Sequence, residues 1–334
     1  FRRLLWMTTM VLILVQFYIA YWPNPFNLVG FIGVAHWTAL RPAVAFILIV
    51  VSLVLVLLSL PLIPVRKIVN VLVLPMLIFG LVSAYVVFDQ GLLGGGGTSE
   101  VAGKKTIKVL SWNLHADAVS ANDVASLIAE TKPDVVILPE TPDQLANQIS
   151  ALSASEGVTL RAHTRTTELT SVAKHTSILL GTAFADYSPS GPNITNRLSS
   201  YATTGNGDFT FYAVHAIAPM PNLMDEWQND LEMLADACDS PYVIMAGDLN
   251  AVYDHLRPHG NASTFGNCKD AGYESHSVGV GTWPTNVPTF LGSSIDHILY
   301  GSGFELSEYQ VITDFDGAGS DHRPITATLV IVGE

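Results

Sequence analysis

Apolar residues are distributed so unevenly that the chain divides into two unlike parts. Three uncharged apolar runs, at about residues 4–21, 44–63 and 68–88, each approach the roughly 20 residues that a helix needs to cross a bilayer. A cleaved signal peptide is the alternative for the first run, but no small-residue cleavage site follows it and two more runs come after it. The pattern predicts a transmembrane region with three spans at residues 1–90.

Basic residues indicate how these spans are oriented. Arg2 and Arg3 precede the first span, and Arg66 and Lys67 separate the second from the third, whereas the first connection holds only Arg41. Because basic residues mark the cytoplasmic side, both pairs lie inside only if the third span runs outward. We therefore expect a multi-pass cell membrane protein whose remaining residues lie outside the cytoplasm.

Two connecting segments have a distinctive composition. Residues 22–43 are rich in aromatic side chains, which are typical of the interface between membrane and water, and His36 is expected there as a polar interfacial group rather than a metal ligand. Residues 91–105 contain four consecutive glycines and are predicted to be a flexible linker. Such a linker holds the next domain close to the membrane surface.

From residue 106 onward, short apolar segments alternate with amphipathic ones. Ser120 is placed to cap a helix that runs to Glu130, and residues 222–237 have a second amphipathic pattern. An α/β domain is therefore predicted at residues 106–334. Its predicted strands lie at residues 107–109, 135–138, 209–215, 242–246, 294–300 and 325–331.

Charge separates the two parts further. Residues 1–97 hold five basic residues and one acidic residue, which leaves 11 basic and 28 acidic residues, a formal charge of −17, in the rest of the chain. A mean hydropathy of +0.37 excludes a fully disordered chain. The negative charge excludes a broadly basic surface for nucleic acid.

Several predicted strands end in polar residues. Glu140 follows the strand at 135–138, His215 ends another strand, and Asp248 and Asn250 follow a glycine after a third. Polar groups at the ends of buried strands cost stability, so a functional reason is expected. Taken singly, Glu140 also fits a surface residue, His215 a hydrogen-bonded core histidine, and the Gly-Asp pair a turn.

A carboxylate and an imidazole further along the chain complement these residues. Asp296 lies inside a β-branched strand, where a carboxylate needs a partner. Asp321 and His322 lie on an irregular loop that supplies one, and an imidazole oriented by an Asp is typical of hydrolases. His297 lies on the opposite face of its strand from Asp296 and is expected to be structural.

Six short blocks together resemble the endonuclease/exonuclease/phosphatase superfamily, and they occur in that family's order over about 210 residues. The resemblance implies a DNase I-like four-layer α/β sandwich, with two central mixed β-sheets flanked by helices. It also implies hydrolysis of a phosphoester with a divalent metal, usually Mg²⁺, with Mn²⁺ or Ca²⁺ as alternatives. The blocks are Trp112-Asn113, Pro139-Glu140, Val214-His215, Gly247-Asp248-Leu249-Asn250, Ile295-Asp296-His297-Ile298 and Ser320-Asp321-His322.

The resemblance also implies a set of metal ligands. Glu140 looks like the principal ligand, with Asn113 and Asp321 completing or supporting an oxygen-rich shell. Carboxylate and amide oxygens suit a hard cation such as Mg²⁺.

A second group of residues looks catalytic by the same resemblance. Asp248 looks like the residue that orients or deprotonates the attacking water. Asn250 and His215 would donate hydrogen bonds to phosphate oxygens. His322, held by Asp296, would stabilise the same oxygens or assist proton transfer.

The superfamily includes nucleases, inositol-phosphate phosphatases and sphingomyelinase-type enzymes, so the substrate has to be inferred from context. Membrane attachment, a charge of −17 and an aromatic loop with Trp283 favour a lipid-linked or envelope phosphoester. Membrane lipids are therefore the expected partners, and nucleic acid is disfavoured because an acidic domain repels its backbone. A packing role for Trp283 is an equal alternative.

Three other functions are alternatives to a metal-dependent phosphoester hydrolase. An extracytoplasmic nuclease of the same fold is the first alternative, and a catalytically inactive membrane receptor is the second. A zinc hydrolase is disfavoured because no HExxH spacing occurs and Pro258 interrupts the pair His255 and His259.

One stretch of the acidic domain is basic. Arg161, Arg165 and Lys174, with Glu168 as the only acid among them, give residues 160–176 a local charge of +2. We expect a mobile loop whose cations bind the substrate's phosphate or an anionic membrane, with a solvated face as the alternative.

The two cysteines flank the Asp248 segment. Cys238 ends the helix before that strand and Cys268 follows the segment after it. An oxidising compartment permits a disulfide between them, and two unrelated buried thiols are the alternative.

Overall fold

The computed structural model describes residues 2–21, 26–61, 63–92, 103–169, 171–261 and 263–332. Most of the predicted glycine-rich linker, residues 93–102, lies outside these residues. Apolar side chains of the N-terminal helices point outward, as membrane spans require; Leu14, Leu57 and Leu81 are 62, 63 and 52% exposed. The helices of this region are α1 (Arg2–Tyr21), α2 (Ile32–Ala39), α3 (Arg41–Ser59) and α4 (Ile63–Asp89).

Three of these helices are long and apolar enough to cross a membrane, over Arg2–Tyr21, Arg41–Ser59 and Val71–Asp89. The second span starts three residues before the predicted one because Pro42 lies in the first turn of α3, where proline is tolerated. Helix α2 lies within the predicted aromatic connection, which the sequence pattern had not resolved into a helix.

The rest of the chain is the predicted α/β domain. The Ser120 side chain accepts a hydrogen bond from Asp123 N, so the predicted cap of α5 is confirmed. The elements are β1 (Thr106–Ser111), α5 (Ala121–Thr131), β2 (Val135–Pro139), α6 (Asp143–Ser155), β3 (Leu160–Thr166), β4 (His175–Gly181), β5 (Ser188–Ser190), β6 (Tyr201–Thr204), β7 (Thr210–His215), α7 (Met224–Ala237), β8 (Val243–Asp248), α8 (Tyr253–Leu256), β9 (Lys269–Asp270), α9 (Ala271–Glu274), β10 (Asp296–Tyr300), β11 (Phe304–Val311) and β12 (Ile325–Ile331).

The strands form two mixed sheets of six, in the orders β11-β12-β1-β2-β4-β3 and β5-β6-β7-β8-β10-β9. In each sheet one central pair is parallel, β1 with β2 and β7 with β8, and the other pairs are antiparallel. The carboxyl ends of the parallel strands therefore meet at one edge of each sheet, where polar residues follow them.

Successive side chains of each strand face alternately the core between the sheets and the outer helices, which gives the domain four layers. In β2, Ile137 faces the core between the sheets, whereas Val136 packs with the helices on the outer side. In β8, Ile244 faces the same inter-sheet core, and Met245 packs with Trp227 of α7. The DNase I-like sandwich of two sheets flanked by helices is thus confirmed.

The prediction of a mobile loop at residues 160–176 is wrong for residues 160–166, whereas residues 167–174 connect two strands. Residues Leu160 to Thr166 pair in full antiparallel register with His175 to Gly181, so Arg161 and Arg165 lie in strand β3. Strand β3 is the outer strand of its sheet, so its side chains are mostly polar and partly exposed. A polar sequence of this kind is also typical of a loop.

The α/β domain packs on the ends of the N-terminal helices. Arg41, the first residue of α3, donates a 2.6 Å hydrogen bond to Asp254, and Gln90, just after α4, donates to the same carboxylate at 3.0 Å. Arg257 donates to the carbonyl of Ala20 near the end of α1. The end of α1, the start of α3 and the end of α4 therefore face the same domain.

Candidate active site

Strand register brings polar residues of both sheets together. His215 ends β7 opposite Asp248, and Asp296 begins β10 opposite Asp248 from the other side. All three side chains are buried. In the other sheet, Asn113 and Glu140 follow the parallel strands β1 and β2.

Backbone strain is concentrated at this edge. Gly247 has a φ of 142°, and a Cβ atom there would lie 1.9 Å from Val214 O, so only glycine lets β8 approach β7 so closely. Glu140 and Asn250 have φ values of 56° and 48°, in the left-handed region. Such non-glycine conformations cost of order 1 kcal/mol and persist where surrounding contacts impose them, as at functional sites.

The Asp248 carboxylate lies at the centre of the cluster. Its Oδ1 accepts a hydrogen bond from Asn250 N at 2.8 Å, and its Oδ2 accepts one from Asn113 Nδ2 at 3.0 Å. Burial raises the pKa of Asp248, and the negative charge of Asp296 adds to this increase, although His322 opposes it. A raised pKa makes the carboxylate a better proton acceptor.

His322 lies between two carboxylates. Its Nδ1 is 2.9 Å from Asp296 Oδ2, and its Nε2 is 3.7 Å from Asp248 Oδ2. Burial by itself lowers the pKa of His322, but the charges of Asp296 and Asp248 outweigh it and raise the pKa to about 10. The ring is therefore protonated at neutral pH, donates to Asp296 through Nδ1 and presents an Nε2–H to the site.

His215 contacts the opposite side of the cluster. Its Nε2 lies 3.8 Å from Glu140 Oε1 and 3.7 Å from Asp248 Oδ2. Burial lowers the pKa of His215, so this ring is neutral at pH 7. Asn113 Nδ2 donates to Glu140 Oε1 at 3.3 Å in its own sheet and to Asp248 Oδ2 in the other sheet, so Asn113 joins the residues of the two sheets into one polar group.

Asp321 lies at the mouth of the cluster and is 43% exposed. Its Oδ2 accepts a 2.9 Å hydrogen bond from Trp283 Nε1, and its Oδ1 lies 4.0 Å from His322 Nε2. Trp283 thus contacts a predicted metal ligand. It lines one cavity of about 300 Å³ and a second of about 580 Å³, which Asp321 also lines.

Sequence reasoning missed three residues that position the site. Ser320 Oγ donates to Asn113 O and accepts from His322 N, and Trp112 Nε1 donates to His322 O, so both tie the His322 loop to β1. His115 Nδ1 lies 3.2 Å from Asp321 Oδ1. Ser320 and Trp112 belong to the motif blocks, whereas no pattern in the sequence marks His115.

A known family matches this arrangement. The model of the Endonuclease/Exonuclease/phosphatase family matches residues 110–322, which include every residue of the site described above. The chain belongs to the endonuclease/exonuclease/phosphatase family. Enzymes of this family hydrolyse phosphoesters and generally depend on a divalent metal.

Solved structures with the family fold are similar over most of the catalytic domain. An endonuclease/exonuclease/phosphatase from Beutenbergia cavernae is 16% identical over 69% of this chain and 72% of its own, with a TM-score of 0.54. A family protein from Leptotrichia buccalis is 14% identical over 67% of this chain and 99% of its own, with a TM-score of 0.51. At such identities the likeness concerns the fold, and no curated protein matches the chain.

The residues present fit the family's metal. Asp321 Oδ1 is buried, yet it accepts no hydrogen bond of good geometry from any residue that the structure describes. Such an unsatisfied carboxylate oxygen suits a hard cation. Asn113 directs its NH₂ group toward Glu140 and Asp248, and its Oδ1 accepts from His115 N, so direct ligation by Asn113 stays a prediction.

A second group of ligand-type side chains overlaps the site. Asp248, Asp296 and His322 offer atoms within 4.8 Å of one another, which is close enough to surround an ion. His322 Nδ1 already donates to Asp296, however, and the ring is protonated. This geometry favours a proton-transfer group, and metal binding by Glu140 and Asp321 stays a prediction.

Three remaining predictions lie outside this cluster. His297 binds Asp270 at 2.5 Å and Ala251 O at 2.8 Å, away from the site, which agrees with a structural role. The predicted disulfide between Cys238 and Cys268 is present, with a Cα–Cα distance of 5.5 Å.

The basic residues have other contacts. Arg161 donates to Ala185 O, and Arg165 donates to Gly191 O and stacks over Tyr201. Substrate binding by Arg161, Arg165 and Lys174 stays a prediction.

Proposed function

We propose that the chain is a metal-dependent phosphoester hydrolase that is anchored by α1, α3 and α4 and acts outside the cytoplasm on a lipid-linked or envelope phosphoester. The observation that supports the activity is the relay of Asp296, His322 and Asp248, which faces Glu140 across the site. A protonated imidazole and a carboxylate of raised pKa in one buried cluster can donate and accept protons in the same reaction.

The chain's own residues have separable tasks in this proposal. Asp248 accepts the proton of the attacking water, and Asn113 and Asn250 hold its carboxylate in place. His322 directs its Nε2–H toward phosphate oxygens, where negative charge develops.

Glu140, Asp321 and Asn113 would hold the metal. When bound, a divalent cation polarises the phosphoryl group and offsets its charge. His215, neutral and beside Glu140, donates or accepts a hydrogen bond at the same phosphate.

The location of the domain is supported by the membrane helices. Arg2 and Arg3 lie at the start of α1, and the catalytic domain binds the other end of that helix at Ala20. If the basic end faces the cytoplasm, the domain lies outside. A single cysteine in place of the exposed Glu156 should then react with an impermeant maleimide in intact cells, and labelling only after lysis would contradict this placement.

Activity is tested with the full chain in nanodiscs and Mg²⁺. We expect hydrolysis of bis-p-nitrophenyl phosphate that EDTA abolishes, and a preference for polyprenyl phosphates, phosphatidylinositol species or sphingomyelin over DNA. Glu140→Gln should abolish turnover, whereas Glu130→Gln, on the exposed face of α5, should not. Full activity of the Glu140→Gln variant, or cleavage of DNA alone, would contradict the proposal.

A further inference from the structure

A cavity of about 300 Å³ adjoins the candidate active site, within the size range of small-molecule pockets. At its polar end it is lined by Asn250 and by His322, whose Nε2–H is proposed to contact phosphate oxygens. Its walls are otherwise largely apolar and include Met220 and Ile295. The cavity therefore joins a phosphate-binding end to an apolar end.

Part of the apolar wall comes from the membrane region. The last turn of α2 contributes His36 and Ala39, and Leu40 follows them. The Nδ1 atom of His36 is hydrogen-bonded to Ile32 O at 2.6 Å, so one of the two ring nitrogens of this imidazole already has a partner within α2. The catalytic domain therefore does not form this cavity alone.

The catalytic domain holds this helix in place through several contacts. Ser293 Oγ donates to Ala39 O at 2.6 Å, and His255 Nε2 lies 3.2 Å from Ala35 O. Ser293 also lines the cavity. Because these bonds fix both ends of the last turn of α2, the wall has a defined position relative to His322.

The rim of the cavity is apolar and exposed. Leu40 and Met220 line the cavity and remain 41% and 45% exposed, and Phe31 and Ile32 at the start of α2 are 64% and 39% exposed. Leu40 immediately precedes Arg41, the first residue of the second candidate span. Exposed apolar residues that continue into a membrane span are expected at the surface of the bilayer, where amphiphiles are present.

We infer that the cavity binds the hydrocarbon chain of an amphiphilic phosphoester, whose phosphate reaches Asn250 and His322. Helix α2 is then a part of the substrate site, and the occupant enters from the bilayer surface beside Leu40. This inference rests on the proposed phosphoesterase function, and it adds that the enzyme selects substrates by their apolar part. Burial of each methylene group contributes up to about a fourfold gain in affinity.

A series of alkyl p-nitrophenyl phosphates tests the inference, because its members share one scissile bond. Attack of water at phosphorus releases p-nitrophenolate and leaves the alkyl phosphate. For the full chain in nanodiscs with Mg²⁺, we expect kcat/KM for the dodecyl ester to exceed that for the ethyl ester by about tenfold or more. A ratio near one would overturn the inference.

Variants separate the cavity from simple partitioning of long chains into the bilayer. Leu40→Gln and Met220→Gln should lower the dodecyl-to-ethyl ratio severalfold. Phe290→Gln is the matched control, since Phe290 is 46% exposed and packs near α3 outside this cavity. Equal ratios in all variants would show that the bilayer alone produces the preference and would overturn the inference.

Photolabelling decides the point without turnover. Dodecyl phosphate with a diazirine at the chain end should label peptides that contain Leu40 or Met220, and excess unlabelled dodecyl phosphate should compete. Labelling confined to the lipid-facing sides of α1, α3 and α4 would overturn the inference. If no ester is hydrolysed but the cavity is labelled, the proposed function fails while the chain-binding site stands.

Discussion

Two clusters of buried charge lie on the segment around β8, and they differ in how their charges are balanced. At the site, the carboxylates of Asp248 and Asp296 share the protonated imidazole of His322. Where the α/β domain meets the N-terminal helices, Asp254 accepts hydrogen bonds from both Arg41 and Gln90. Both Arg41 and Asp254 are almost fully buried, at 2 and 3% exposure.

The difference indicates what each cluster does. A buried carboxylate that is paired with an arginine holds two parts of a molecule in one arrangement, and removal of one partner is costly. A buried cluster with more acidic than basic groups has shifted pKa values. Its excess carboxylates can bind protons or cations, as catalysis requires. We therefore expect substitutions in the first cluster to affect the rate, and those in the second to affect stability.

The largest effect is expected at Asp248. Asp248→Asn should lower kcat by about 10²–10⁴, because the proton acceptor is lost. The melting temperature should change little, since burial already makes the charged form of this carboxylate unfavourable. Enzyme kinetics and thermal unfolding of the same samples check both, with Asp143→Asn on the exposed start of α6 as control. A large loss of stability with unchanged kcat would contradict the contrast between the clusters.

Asp254→Ala should have the opposite effect. Removal of one partner of a buried ion pair costs roughly 3–5 kcal/mol, and we expect faster hydrogen exchange in α2 and α8. The double variant Arg41→Met/Asp254→Leu should recover much of that loss because no unpaired charge remains.

Arg197→Gln is the control for Asp254→Ala. Arg197 pairs with Glu226 at the surface, where solvent screens the charges, so its effect should be far smaller. Equal exchange rates in the Asp254→Ala and Arg197→Gln variants would show that the interface does not depend on the buried pair.

The disulfide closes the segment that carries residues of both clusters, so its removal tests how far it stabilises that segment. Cys238 and Cys268 are separated by 30 residues, and this loop carries both Asp248 and Asp254. Loop-closure entropy for such a length predicts that Cys238→Ser/Cys268→Ser lowers stability by roughly 3–4 kcal/mol. Denaturant unfolding measures the loss, and mass spectrometry of the non-reduced wild type should find no free thiol.

Low pH should lower the stability of the cluster around Asp254. Burial lowers the pKa of His255 to about 4, with Asp254 opposing this shift and Arg41 and His297 adding to it. Because the unfolded imidazole binds a proton below about pH 6.5 and the folded one does not, stability falls as the pH drops, by about 2 kcal/mol at pH 5.

Hydrogen exchange of α8 between pH 7.5 and 5 measures this loss. His255→Gln should flatten the dependence on pH, since its side chain does not titrate. The same steep dependence in that variant would assign the effect to another group.

The smallest effect is expected in β3. The guanidinium groups of Arg161 and Arg165 are already bonded to carbonyl oxygens at that edge of the sheet. We therefore expect the variant Arg161→Gln/Arg165→Gln/Lys174→Gln to change KM less than about twofold, as for other exposed positions away from a site. A KM increase of tenfold in steady-state assays would restore the prediction that this stretch binds phosphate.

The sequence by itself determined the candidate membrane spans and the polar residues that follow the apolar strands. Long apolar runs could be assigned to membrane spans because helix length and bilayer thickness are local quantities. Glu140, Asp248 and His322 could be selected because polar residues after apolar strands stand out, and because their order matches a family.

Only the tertiary structure decided which distant residues meet. No sequence pattern marks Asp254, which pairs with Arg41, 213 residues earlier in the chain. The strand β3 was mistaken for a loop because outer strands lack an apolar pattern on both faces. The wall that α2 adds to the cavity at the candidate site could not be predicted from periodicity. It depends on how the N-terminal helices pack on the α/β domain, and such long-range packing has no signature in local sequence.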